Sequence, residues 1–109
     1  PFRASRGPGS VRPIHIARLD KARPVLVLTR ELVIPERTQI TVAPVTSTAR
    51  GLSVEIPVGQ ANGLGHDSVV NCDNIVTIPK TTLGERIGYL LPAQEEALTA
   101  AIRAAFDLE

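Results

Sequence analysis

The chain of 109 residues is the size of one domain, 43% hydrophobic yet without a run of eighteen apolar residues, so neither a transmembrane helix nor a secretory signal is expected. Its net charge of +1 becomes −1 once Arg3 and Arg6 are set aside with the first ten residues, so global basicity is no argument for a nucleic-acid partner. A single cysteine, Cys72, excludes an internal disulfide and a paired-thiol metal site; a small semi-buried thiol in a reducing cytoplasm is the expectation.

The opening PFRASRGPGS, residues 1–10, is rich in Pro, Gly, Ser and Arg, and its GPGS resembles a cleavage scar left by an expression tag. Residues 11–109 are therefore read as the single domain. RPIHIARL, residues 12–19, alternates Ile14 and Ile16 with His15 and Ala17 and predicts an early strand. DKA, residues 20–22, is a short connector into PVLVLT, so the two strands form a hairpin. Val25 to Leu28 form an apolar run typical of a strand buried on both faces, with Arg23 at its mouth beside Pro24.

RELVIPER, residues 30–37, holds a helical turn interrupted by Pro35. QITVAPVT, residues 39–46, is a third strand, in which Pro44 argues for an edge or a bulge. STARG is a polar turn, LSVEIPV (52–58) alternates again, and GQANGLGHD (59–67) is a loop by its glycines and Asn62-Gly63. SVVNCDNIVTI, residues 68–78, is strand-like with a bend predicted at Asn71 to Asn74, and RIGYLL (86–91) is a last strand. Leu98, Ala101, Ile102, Ala105 and Phe106 recur at helical spacing behind Pro92, Glu95 and Glu96, which predicts an amphipathic helix over 92–106. Short strands with tight turns and one closing helix indicate a mostly β fold with short helices, a small antiparallel barrel. A chain this small leaves much apolar surface outside, which favours a partner or a dimer.

Charge is unevenly spread. Residues 12–50 carry seven basic groups against three acids, and residues 51–109 three against eight. The N-terminal part is thus the one suited to an anion. If the second and third strands are antiparallel neighbours, Arg23 at the start of one meets Thr46 at the end of the other. A guanidinium beside the Thr46-Ser47-Thr48 hydroxyls makes a phosphate cradle, although a surface turn with capping hydroxyls has the same sequence. His15 and His66 are candidates for acid and base work on a phosphodiester, or plain surface residues. Asp73 and Asn74 have side chains able to read base edges, or simply to bend a strand. No metal-ligand motif and no phosphate-binding glycine loop is present, so no cofactor is expected. Tyr89 and Phe106 are the only aromatics beyond residue 10, which counts against a barrel that binds single strands by stacking bases.

RPVLVLT, VAPVTST, DSVVNCDNIVTI, LGERIGYL and a closing amphipathic helix ending in DL, in this order, resemble the MazF/PemK family of toxin endoribonucleases from about Arg12 to Leu108. RPIHIARLDKARPVLVLTRE is similar to the mycobacterial type, with a short loop between the first two strands. The resemblance implies an SH3-like barrel, CcdB/MazF-like, and a homodimer. It implies metal-independent cleavage of single-stranded RNA (mRNA, rRNA or tRNA) and a MazE-type antitoxin partner in the cytoplasm. It carries catalytic roles to Arg23 and Thr46, leaves Lys21, Ser47 and Thr48 as phosphate contacts beside them, and puts Asn74 near positions used for RNA. The alternative within the fold is a CcdB-like toxin that binds a topoisomerase; that family ends in a tryptophan-containing motif, and this chain has no Trp.

Overall fold

In the computed structural model, residues 12–108 are described; the tag-like opening lies outside them. Seven strands follow in order: β1 (Pro13–Arg18), β2 (Ala22–Val27), β3 (Gln39–Thr46), β4 (Glu55–Val58), β5 (Ser68–Asn71), β6 (Val76–Pro79) and β7 (Leu83–Tyr89), then one α-helix, α1 (Glu95–Ala105). Every pairing is antiparallel, and the strand order is β4-β5-β3-β2-β1-β7, with β6 also on β3. Among the described residues β4 and β7 do not pair with each other, so the small barrel expected from sequence is a half-barrel whose sheet stays open.

The hairpin runs from Ile14↔Leu26 to Arg18↔Ala22, which leaves only residues 19–21 for its turn. Pro44 is not in an edge strand. On one side it faces Val25 of β2; on the other, β6 pairs with β3 up to Val42 and β5 takes over at Val45. A residue without an N–H fits that gap between two pairings.

Period-two alternation sorts the core into two clusters. Ile14, Leu26, Ala43, Val45, Ile56 and Val70 join Leu98 and Ala101 of the helix on one face. Ala17, Val25, Val27, Ile40, Val42 and Ile78 form the other. Val25, Leu26 and Val27 are all buried, as a strand covered on both faces requires.

Element ends differ from expectation for identifiable reasons. The fourth strand starts at Glu55 rather than Leu52, because the Glu55 carboxylate accepts the N–H groups of Arg50 (3.0 Å) and Leu52 (3.1 Å) and folds the chain back. The predicted bend is present: Asn71 Oδ1 accepts Asp73 N–H at 2.8 Å, and Cys72–Asn74 form a 3-10 turn. The last strand spans 83–89 rather than 86–91. The predicted helix 92–106 divides into a 3-10 turn, Pro92–Gln94, and α1; Phe106 falls past the helix end and is 55% exposed, so it is not part of the buried stripe. Arg12, just before β1, ties the start of α1 to the end of β2, with Nε 3.1 Å from Glu95 Oε2 and Nη1 donating to Leu28 O at 3.2 Å.

Candidate active site

The register of β2 against β3 pairs Val25 with Pro44. Two residues further along each strand, Arg23 comes level with Thr46, and strand parity puts both on one face. Arg23 reaches one neighbour: its Nη2 is 3.2 Å from Asp20 Oδ1 and 3.4 Å from Oδ2. Its Nε is buried and has no hydrogen-bond partner. An unsatisfied buried donor costs roughly 1–3 kcal/mol, more beside a charge, so the guanidinium is held ready for an acceptor. Thr46 Oγ1 accepts Thr48 N–H at 3.2 Å, which leaves the hydroxyl proton free to donate.

Arg23, Thr46 and Thr48 line two adjoining clefts. The first, about 520 Å³, also takes in Lys21 and Ser47, and its far wall is Gly63 to His66. The second, about 300 Å³, is lined by Arg50, Asn71, Asp73 and Asn74. The structure therefore brings Lys21, Arg23, Thr46, Ser47 and Thr48 to one cleft and places Asn74 in its neighbour. His66 lies in the first cleft, but His15 does not. The Nδ1 of His15 is 2.9 Å from Gly84 O, and its ring borders a separate hollow beside Arg12 and Tyr89. A two-histidine acid–base pair is not assembled.

The far wall is held by features that sequence reading missed. Gly63 has φ +89°, and a Cβ there would sit 2.0 Å from the Ile87 carbonyl oxygen; one on Gly88 would sit 1.9 Å from that of Asn62. The loop thus crosses β7 backbone to backbone. Asn62, 1% exposed, donates to Tyr89 O (2.9 Å) and to Gln94 Oε1 (2.7 Å). The Asn62-Gly63 pair marked a loop but not this anchorage. The Asp20 contact was equally unread, although a carboxylate three residues before an arginine in a short turn is a usable signal.

Cys72 is buried at 1% exposure, and burial, with the Asp73 charge second, pushes its thiol up to about 11. It stays protonated and structural. No group of three or more His, Cys, Asp or Glu side chains able to hold a metal ion occurs among the described residues. No helix among them is long and apolar enough to cross a membrane.

Comparison with known proteins gives one answer. Residues 11–106 match the family model described as PemK-like, MazF-like toxin of type II toxin-antitoxin system. The chain is 63% identical over 99 residues to endoribonuclease MazF3 of Mycobacterium tuberculosis, covering 91% of this chain and 96% of that protein. It is 41% identical over 83 residues to the probable endoribonuclease MazF2 of the same organism, covering 75% and 81%. The solved Mycobacterium tuberculosis toxin MazF-mt6 superposes with a TM-score of 0.88 at 63% identity, over 90% of this chain and 99% of that one. A mycobacterial endoribonuclease in complex with its cognate antitoxin shares the fold, with a TM-score of 0.80 at 24% identity over 93% and 98%. On the strength of the family match and of these relatives, the chain belongs to the PemK-like, MazF-like toxins of type II toxin–antitoxin systems.

Proposed function

We propose that this protein is a sequence-specific, metal-independent endoribonuclease toxin that cuts single-stranded RNA through the substrate's own 2′-hydroxyl. Enzymatic RNA cleavage is the activity that the names of its 63%-identical relatives carry. The observation that supports the chemistry is the meeting of Arg23 and Thr46 across neighbouring strands, on the walls of the same two clefts.

In this reading the 2′-oxygen attacks the adjacent phosphorus and the P–O5′ bond breaks. The products are a 2′,3′-cyclic phosphate and a 5′-hydroxyl; the 2′-proton leaves and the 5′-oxygen gains one. Negative charge grows on the phosphoryl oxygens, where the Nη groups of the Arg23 fork donate. Thr46 donates its unused proton to a non-bridging oxygen. An arginine is always charged near neutrality, so its role is electrostatic rather than that of a base. Lys21, Ser47 and Thr48 hold the phosphate, and Asn74 contacts RNA from the neighbouring cleft. The protein acts in the cytoplasm as a homodimer and is held in check by a MazE-type antitoxin.

Incubation with an RNA pool in excess chelator, followed by mapping of the ends, tests this. Cyclic-phosphate ends at a fixed short sequence are expected. Arg23→Ala and Thr46→Ala should each lower kcat about 10²- to 10³-fold, the usual loss for one preorganised donor. Full activity in both variants, or a strict metal requirement, overturns the reading.

A further inference from the structure

Asn62 stands apart in this core: it is the one buried polar side chain among the described residues, and the chemistry above makes no use of it. It closes a 3-10 turn, Gln60–Asn62, and its Oδ1 accepts the N–H of Gly59, the residue before that turn, at 3.0 Å. Gln94 does the same in the turn Pro92–Gln94, its Oε1 accepting Leu91 N–H at 2.9 Å. The two side chains then bond to each other, Asn62 Nδ2 to Gln94 Oε1 at 2.7 Å and Gln94 Nε2 to Asn62 Oδ1 at 3.4 Å. Asn62 Nδ2 also donates to Tyr89 O, and Gln94 Nε2 to Pro57 O at 3.3 Å. One amide pair thereby fastens β4, the 59–65 loop, the end of β7 and the lead-in to α1. An apolar pair would fill the space, but only directional bonds fix the loop at one height and angle.

What is fixed is the cleft. Gly63, Leu64 and Gly65 follow Asn62 directly and face Arg23 and Thr46 across it. The Gly63–Gly88 crossing leaves no slack toward β7, so the loop has one seat. We propose that Asn62, braced by Gln94, is a positioning residue for RNA cleavage: it sets the distance between the 63–65 wall and the Arg23–Thr46 cradle, and so the alignment of the bound nucleotide for in-line attack. This rests on the RNA-cleaving reading above and adds a residue to it.

Full-length Asn62→Ala and Gln94→Ala are compared with wild type by single-turnover cleavage of an RNA oligomer containing the mapped site. Binding is measured with the same oligomer carrying deoxyribose at the scission point. Ile40→Val, a trim in the second core cluster, controls for lost stability. All are measured where circular dichroism shows them folded. Misplacement by about an ångström is worth about 10²-fold in rate. The strap variants should therefore lose kcat on the order of 10²-fold while deoxy-oligomer affinity stays within about threefold, and Ile40→Val should keep its kcat. Hydrogen exchange should show the Gly63 and Leu64 amides, bonded to Gln60 O and Gly59 O, losing protection in Asn62→Ala while β2 and β3 keep theirs. Folded strap variants with kcat near wild type overturn the proposal. So does a rate loss that follows stability in all three proteins, or unchanged protection at Gly63 and Leu64. If Asn62→Ala does not fold, Gln94→Ala decides alone. Wild type that cuts no RNA defeats the endoribonuclease reading instead, and the exchange result still judges the strap.

Discussion

Arg23 was conspicuous in the sequence because a strand buried on both faces has no use for a charge at its mouth. Thr46 was legible for a related reason, as the last residue of a β-branched run leading into a polar turn. Their meeting needed only one assumption, that consecutive strands pair. Asp20 and Asn62 were harder, because their roles depend on where a side chain points inside a turn, and composition does not encode that. Cys72 was read as structural, and the structure gives that reading a measurable form. Its folded-state pKa is raised to about 11 by burial. On unfolding the thiol returns to its ordinary value near 9, so the unfolded chain loses the proton first. The stability this protonated thiol contributes is complete below pH 9 and is lost as pH rises toward 11. The unfolding free energy of the wild type from urea titrations should fall across that window, by on the order of 2–3 kcal/mol from this group. Cys72→Ala should lack that part of the decline, and the native thiol should resist alkylation at pH 8.

At the scale of elements, strand existence was readable and strand ends were not. Alternation located β1, since the pattern follows from one face being buried, and β-branched content located β3. The stretch 68–78, expected as one bent strand, is two: β5 pairs with β3 and β4, and β6 pairs with β3 further along. The ends of β4 and α1 were set by local hydrogen bonding, at Glu55 and past Ala105, which periodicity does not report. The loop between β4 and β5 shows what such local constraints do. Its Asn-Gly was readable as a turn, yet its weight lies in the crossing of Gly63 over Gly88. A methyl group on either would strike a backbone carbonyl at about 2 Å, and backbone has no rotamer with which to yield. Gly63 in addition sits at φ +89°. Gly63→Ala and Gly88→Ala should therefore each destabilise the fold by about 3 kcal/mol or more in urea titrations. Gly51→Ala, at φ +73° with nothing within 4 Å, should cost only about 1 kcal/mol. A loss at Gly63 no larger than at Gly51, with Gly88→Ala, which has no positive φ, near neutral, would mean that left-handed strain, not the crossing, fixes the loop.

For the whole molecule, the uneven charge along the chain finds a spatial counterpart at the site. The cleft holding Lys21 and Arg23 has no carboxylate in its lining, the Asp20 partner of Arg23 lying outside it, whereas in the adjoining one Arg23 and Arg50 face Glu55 and Asp73. One cleft thus suits the phosphate and the other the uncharged parts of a nucleotide. With residues 1–10 set aside the chain is slightly acidic, so its net charge does not favour holding nucleic acid of arbitrary sequence. This predicts a shallow salt dependence. Two cations on the backbone of a single strand give a slope of log affinity on log salt of about −1.4. Lys21→Ala should remove about half of it, since each single-strand phosphate contact is worth about −0.7. Asn74→Ala should weaken binding without altering the slope, because an uncharged contact releases no counterion. Fluorescence anisotropy with the uncleavable deoxy-substituted oligomer between 50 mM and 400 mM salt measures all three. A slope steeper than about −4 would require many more cations on the RNA than this cleft contains, and would move the binding surface elsewhere.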